Sequence, residues 1–316
     1  METQRSALTI VTRRSPLAIW QAEFVKNQLL QHHPDLKITI VQCVTQGDTL
    51  KNLPIATMGG KDLFVKDLQQ RVLEGSAHMA VHSIKDRSVQ EIPELVIAAF
   101  CVREDARDAF VSLHHIPWRD LPEGAIIGTS SPRRHCQFKA LLPKLDIQPI
   151  RGNIDTRLTL LDSGKYAGLV LAAAALKRLN YTHRIQDYFD PSLFIPAIGQ
   201  GVIGIECHSE DIATQHLLKE IDDSTTRTCV TAERAVNRAI GGDCFTPIAA
   251  YAVVTENDLY LSAMVGNLDG THILRSHVHG PYQQAEALGL QAGEQLLRQG
   301  ARELLTMGRS RFRDTS

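Results

Sequence analysis

The sequence carries almost no net charge: 34 Lys and Arg stand against 35 Asp and Glu, for −1 at neutral pH. A dedicated nucleic-acid binder normally shows a basic excess, so no such partner is expected. The six cysteines, at 43, 101, 136, 207, 229 and 244, are scattered and form no C-x-x-C pair. That spacing removes both a zinc ribbon and a disulfide framework. His32-His33 and His114-His115 match no ligand spacing such as H-E-x-x-H, so no metal is expected. The longest apolar stretch, Tyr166 to Leu176, is far too short to span a bilayer, and Met1 to Ala7 lacks the apolar core of a signal peptide. No repeat or low-complexity tract stands out. A cytoplasmic protein with reduced thiols and no membrane association is expected.

What is present is the composition of a soluble globular protein, 43% hydrophobic and 22% charged over 316 residues. That length suits two or three domains. The near-zero charge also hides a distribution. From Arg119 to Arg184 there are eleven basic and five acidic residues, +6, and the rest of the chain is −7. A basic middle in a neutral protein points to an anionic small molecule, with a solvated basic face as the plain alternative.

The first half alternates strand-like and helix-like patterns. Leu8 to Thr12 reads as a strand, Ser15-Pro16 as a helix start, and Leu17, Trp20 and Phe24 recur at helical spacing. Leu36–Val44, His78–His82 and Glu94–Phe100 read as strands, with a helix around Phe64–Leu73. A second α/β set has strands at Ala109–Ser112, Ala125–Gly128, Asp146–Ile150 and Ala167–Leu171, and helices after Pro132, after Asn153 and over Ala173–Leu179. One more strand (Val202–Cys207) and a helix (Asp211–Ile221) follow. The remainder, a helix at Thr225–Ile240, three strands within Ile248–His279 and a last helix beyond Pro281, reads as a small α+β domain with an antiparallel sheet.

Three turns, Thr12-Arg13-Arg14-Ser15-Pro16, Gly128-Thr129-Ser130-Ser131-Pro132-Arg133-Arg134 and Arg151-Gly152-Asn153, each follow a strand and enter a helix. Ligands of open α/β sheets collect at the carboxyl ends of strands, where helix N–H groups favour an anion and Arg adds a fork suited to carboxylate. Val81-His82-Ser83-Ile84-Lys85-Asp86 ends a strand with a cation beside a carboxylate. Such an Asp can stabilise developing positive charge or shuttle a proton; a surface ion pair is the competing reading. Gly199-Gln200-Gly201-Val202-Ile203-Gly204 spells G-x-G-x-x-G but precedes a strand, so a tight crossover is the default over a nucleotide loop. Cys244 lies between a helix end and a strand, as a nucleophile or attachment point if exposed, or as an inert buried thiol.

Together these segments closely resemble the porphobilinogen deaminase (hydroxymethylbilane synthase) family. The likeness is carried by the turn from Thr12 through Ala18, Gly59–Lys66, Ala80–Asp86, Arg103–Phe110, Gly128–Ser131, Arg151–Asn153, Pro196–Gly201 and Thr231–Arg234, and it runs from about Leu8 to Leu305. The family joins four porphobilinogen molecules head to tail, releases ammonia at each step, and hydrolyses off the linear tetrapyrrole. Its primer is a covalent dipyrromethane cofactor, which the resemblance attaches through a thioether on Cys244. The resemblance makes Asp86 the catalytic carboxylate facing the cationic azafulvene, with Lys85 and Arg13 beside it. It places Ser83, Lys85, Ser130, Ser131, Arg133, Arg134 and Gly152 with Asp86 around the cofactor. Arg13, Ser15, Arg151, Arg157 and Arg178 fall on the substrate side, with Lys61 and Phe64 in a loop over the cleft.

The implied fold class is α/β: two type II periplasmic-binding-protein-like α/β domains flanking a cleft, plus a small C-terminal α+β domain with a three-stranded antiparallel sheet. The boundaries expected are 1–101 with 202–219, then 107–195, then 224–316. A monomer is expected. Four departures from the family's commonest pattern stand out: Arg87-Ser88 after Asp86 in place of Val-Pro, Asp62, Pro132 and Asp243. A guanidinium at position 87 is expected to pair with Asp86 and compete for its role. A non-catalytic anion-binding paralogue is the alternative reading, and a dinucleotide-dependent oxidoreductase a more distant one.

Overall fold

The computed structural model describes residues 5–45, 65–89, 91–242 and 246–305. The chain divides into two compact units, 1–104 with 201–227, and 105–200 with 228–316.

The first unit is built on a five-stranded sheet. Strand β1 (Ala7–Arg13) pairs in parallel with β2 (Lys37–Cys43) on one side and β3 (Met79–Ser83) on the other. Helix α1 (Pro16–His32) connects β1 to β2. It starts where the sequence supplies a cap: the Ser15 hydroxyl accepts from the Ala18 N–H at 3.3 Å, and Pro16 occupies the first turn, where its missing N–H costs nothing. Ala18, Ala22, Val25 and Leu29 then fall on one buried stripe. Helix α2 (Lys66–Leu73) leads into β3, and β4 (Leu95–Phe100) forms one edge.

The second sheet repeats the plan. Strand β6 (Ile126–Gly128) is parallel to β7 (Asp146–Gln148) and β8 (Gly168–Ala172), with β5 (Asp108–Ser112) antiparallel beside β8 and the short β9 (Asp187–Tyr188) at the edge. Helices α3 (Pro132–Leu141), α4 (Ile154–Asp162) and α5 (Ala173–Arg178) follow β6, β7 and β8. An aromatic core of Phe110, Trp118, Phe138, Phe189 and Phe194 lies on one face. Pro132, one of the departures from the family pattern, sits in the first turn of α3, a position proline tolerates.

The G-x-G-x-x-G run opens no helix. After it, β10 (Ile203–His208) enters the first sheet antiparallel to both β3 and β4, giving the order β2-β1-β3-β10-β4. The second sheet reads β7-β6-β8-β5-β9. Each is therefore three parallel strands in the same order, extended by one antiparallel strand and an edge. Helices α6 (Ile212–Lys219) and α7 (Ser224–Ile240) come next.

The chain then forms the meander β11 (Ile248–Thr255), β12 (Asp258–Gly266) and β13 (Ile273–Pro281), followed by α8 (Ala285–Arg298). It has its own apolar core, including Val236, Leu261, Val265 and Leu296. Its turn packs against α3: at Gly270 (φ +71°) a Cβ would lie 2.5 Å from the Ala140 nitrogen, so only glycine fits that approach. Among the described residues no helix is long and apolar enough to cross a membrane.

Candidate functional site

The carboxyl ends of β1 and β3 meet at a small recess, open to solvent and lined by Arg13, Ser15, Gln21, His82, Ser83 and Asp86 among others. Arg13 closes β1 and Ser15 caps α1, so both are delivered by the strand-to-helix turn read from the sequence. Ser83 ends β3, where its hydroxyl is bracketed by the buried Gln21 amide: Gln21 Nε2 donates at 2.8 Å, and the hydroxyl donates to Gln21 Oε1 at 3.2 Å. Ile84–Asp86 is a single 3₁₀ turn with Ile84 buried, Lys85 half-buried and Asp86 exposed. Among the described residues nothing donates a hydrogen bond to the Asp86 carboxylate or pairs with it.

That corrects the expectation for Arg87. Its guanidinium turns inward, Nε and Nη2 donating to Glu206 Oε1 at 3.0 and 2.6 Å. Glu206 is wholly buried in β10 and also meets His82 Nε2 at 3.0 Å and Gln69 Nε2 at 3.2 Å. Burial alone would raise the Glu206 pKa; the His82 hydrogen bond and the charges of His82 and Arg87 outweigh it and hold the group at about 2. The reason for the inward turn is electrostatic: a carboxylate inside a strand demands a cation, while exposed Asp86 is solvated by water.

In the second unit the predicted turns again lie at strand ends. The Ser130 hydroxyl donates to the Ile150 carbonyl at 2.7 Å and accepts from its N–H at 3.0 Å, tying the turn after β6 to the turn after β7. Ser131 caps α3, accepting from the Arg134 N–H. Asn153 caps α4, and Gly152 before it has φ +102°, with space that Thr156 would deny to any Cβ. Arg157 donates from Nε to the Gly152 carbonyl at 2.9 Å, bracing the same turn, and Arg151 beside it is half-buried.

Arg133 and Arg134 point into the protein, only 4% and 6% exposed. The carboxylate they bind is internal. Arg133 holds Asp108 through both Nη atoms at 2.7 and 3.1 Å and donates to the Ile195 carbonyl. Arg134 reaches Asp108 from Nε at 2.8 Å and the Val170 carbonyl from Nη1. Asp108 is completely buried; burial would raise its pKa, and the two guanidiniums override this and hold it at about 2. Arg178, the last residue of α5, is also buried. Cys244, Lys61, Phe64, Asp62 and Asp243 lie outside the described residues.

Sequence reasoning missed Glu206, Asp108, Gln69 and Gln200, whose Nε2 donates to Asp108 Oδ1 at 3.1 Å. The signal for the two acids was available: each sits in or beside an apolar strand run, where a carboxylate needs partners. Among the described residues no group of three or more His, Cys, Asp or Glu is placed to hold a metal ion.

Comparison with known proteins shows the family of the chain. Residues 8–216 match the family model described as porphobilinogen deaminase, dipyromethane cofactor binding domain, and residues 227–298 match porphobilinogen deaminase, C-terminal domain. Porphobilinogen deaminases of Coxiella burnetii, strains Dugway 5J108-111 and RSA 493 / Nine Mile phase I, are each 53% identical over 302 residues, 96% of this chain and 98% of theirs. Among solved structures, the BvgS VFT2 domain of Bordetella pertussis covers 68% of this chain and 86% of its own at 15% identity and a TM-score of 0.39. With two family models spanning nearly the whole length and relatives at this identity, the chain belongs to the porphobilinogen deaminase family of enzymes, whose first domain binds a dipyrromethane cofactor.

Proposed function

We propose that the protein is a hydroxymethylbilane synthase, a transferase that deaminates and condenses four porphobilinogen molecules head to tail and releases the linear tetrapyrrole by hydrolysis. The observation that carries this is the recess of the first unit, where Arg13, Ser15 and the exposed Asp86 carboxylate converge at strand ends in a chain of this family. The residues fit the cofactor. Its rings bring pyrrole N–H groups, which a carboxylate accepts, and acetate and propionate groups, which Arg and helix-capping turns bind. When bound, the dipyrromethane supplies the pyrrole carbon onto which new rings are joined; its attachment through Cys244 is part of this proposal.

The roles follow from the chemistry of each group. Asp86, held at the mouth of the recess, faces the positive charge that develops on the substrate as ammonia leaves. Lys85 and Arg13 balance carboxylates near it, and Ser83 and Ser15 orient them. Arg151, Arg157 and Arg178 serve the growing set of carboxylates. Ser130, Ser131 and Gly152 shape the turns that receive the cofactor. Arg133 and Arg134 act in that seat by fixing the start of α3 through Asp108. Each charge-assisted hydrogen bond contributes about 1.5 to 3 kcal/mol. Lys61 and Phe64 are assigned to substrate binding. The protein acts as a cytoplasmic monomer in three domains, at 1–101 with 202–219, 107–195 and 224–316; the separate core beneath β11–β13 supports the third.

The test is incubation with porphobilinogen. Ammonia release with formation of the linear tetrapyrrole is expected, and Asp86→Asn should abolish nearly all turnover while leaving the fold intact. Binding without ammonia release would favour a non-catalytic anion-binding paralogue.

A further inference from the structure

Among the described residues no side chain bonds to Asp86, so its position there is set by the anchors of its turn. Three anchors surround it. Two residues before Asp86, the Ile84 N–H donates to the Val202 carbonyl at 3.1 Å, and the Ile84 side chain fills the space over Gly204, where a Cβ would lie 2.2 Å from it. Four residues before, His82 binds Glu206 Oε2. One residue after, Arg87 binds Glu206 Oε1 through two nitrogens. His82 lies opposite Gly204 in the β3–β10 register and Glu206 opposite Ala80, so His82 and Glu206 are diagonal neighbours on one sheet face. The same carboxylate therefore grips the chain on both sides of Asp86.

A buried ion pair is a poor source of net stability compared with apolar packing, because desolvation offsets the attraction; its best-attested gain is a unique geometry. We propose that Arg87 is a positioning residue: by clamping Glu206 from the carboxyl side of the turn while His82 clamps it from the amino side, it fixes where Asp86 stands. The inference rests on the catalytic reading of Asp86. It goes beyond that reading in giving Arg87, one residue away and turned inward, a role through Asp86 rather than against it.

A kinetic cycle tests it, using purified full-length protein whose mass shows the bound cofactor. Arg87→Gln is expected to lower kcat about tenfold with KM within about twofold, because binding groups elsewhere are untouched while the charge-facing carboxylate drifts. On an Asp86→Glu background, where the carboxylate is already displaced by a methylene, the same change should cost less than about threefold. If Arg87→Gln fails to fold, Arg87→Gln with Glu206→Gln removes both buried charges and is read against the same thresholds. Three results overturn the proposal: a normal kcat alongside a lowered melting temperature, a raised KM with kcat unchanged, or the full tenfold loss on the Asp86→Glu background. Normal turnover in Asp86→Asn would instead sink the catalytic reading itself, so the two failures are distinguishable.

Discussion

Arg133 and Asp108 form a buried two-point ion pair, Nη1 to Oδ2 at 2.7 Å and Nη2 to Oδ1 at 3.1 Å, and Arg134 completes it from the next position of the same helix. The three side chains join the first turn of α3 to the start of β5. Asp108→Ala leaves two guanidiniums buried without their anion and is expected to cost about 3–5 kcal/mol. Urea unfolding midpoints measure this; an unchanged midpoint would mean the cluster is structurally neutral.

The buried acids set a pH dependence. Asp108 and Glu206 both titrate at about 2 in the folded protein, below their ordinary 3.8 and 4.5. A folded pKa below the unfolded one gives stability that is complete above the unfolded value and is lost as pH falls through the folded one. Wild type should therefore lose its advantage over Glu206→Gln progressively between about pH 5 and pH 2. Melting temperatures recorded across that range check it; a difference that stays constant would contradict it.

The five described thiols share one environment. Cys43, Cys101, Cys136, Cys207 and Cys229 are buried, and burial pushes Cys136 and Cys207 up to about 12. Thiolate is the reactive form, so Cys136 and Cys207 should not be alkylated at pH 8 in the native protein, and burial shields the other three from the reagent. Peptide mapping after iodoacetamide treatment reads this directly, with urea-unfolded protein as the fully labelled control. Labelling of Cys136 or Cys207 at the unfolded rate would contradict the described packing.

Gly152 holds the turn that presents Arg151. With φ +102° and a Cβ position 2.7 Å from the Thr156 Cβ, Gly152→Ala strains both the backbone and the α4 cap. A cost of about 1–3 kcal/mol is expected, with a raised KM for porphobilinogen. Steady-state kinetics check this; a normal KM would remove the Arg151 turn from substrate binding.

Much of this architecture was legible because local signals agreed. Ser15-Pro16 and Ser131-Pro132 each supply a capping hydroxyl and a proline for the first turn, and the helices begin there. The strands of both sheets fall within a residue or two of the apolar runs. The two-residue β9 escaped notice because it has no pattern of its own and exists only by pairing with β5. The surface turns of the site were legible, since Arg after a strand and before a helix is a local feature. The direction of each guanidinium was not. Arg87 and Arg133 point inward because Glu206 and Asp108, 119 and 25 residues away, need them, and such partners are known only once the sheets are assembled.

The most direct test of the central claim is the intact mass of the purified protein. A mass above that of the polypeptide by two linked pyrrole rings, lost in Cys244→Ala, is the expected result. An unmodified wild-type chain that cannot start a tetrapyrrole from porphobilinogen would contradict it.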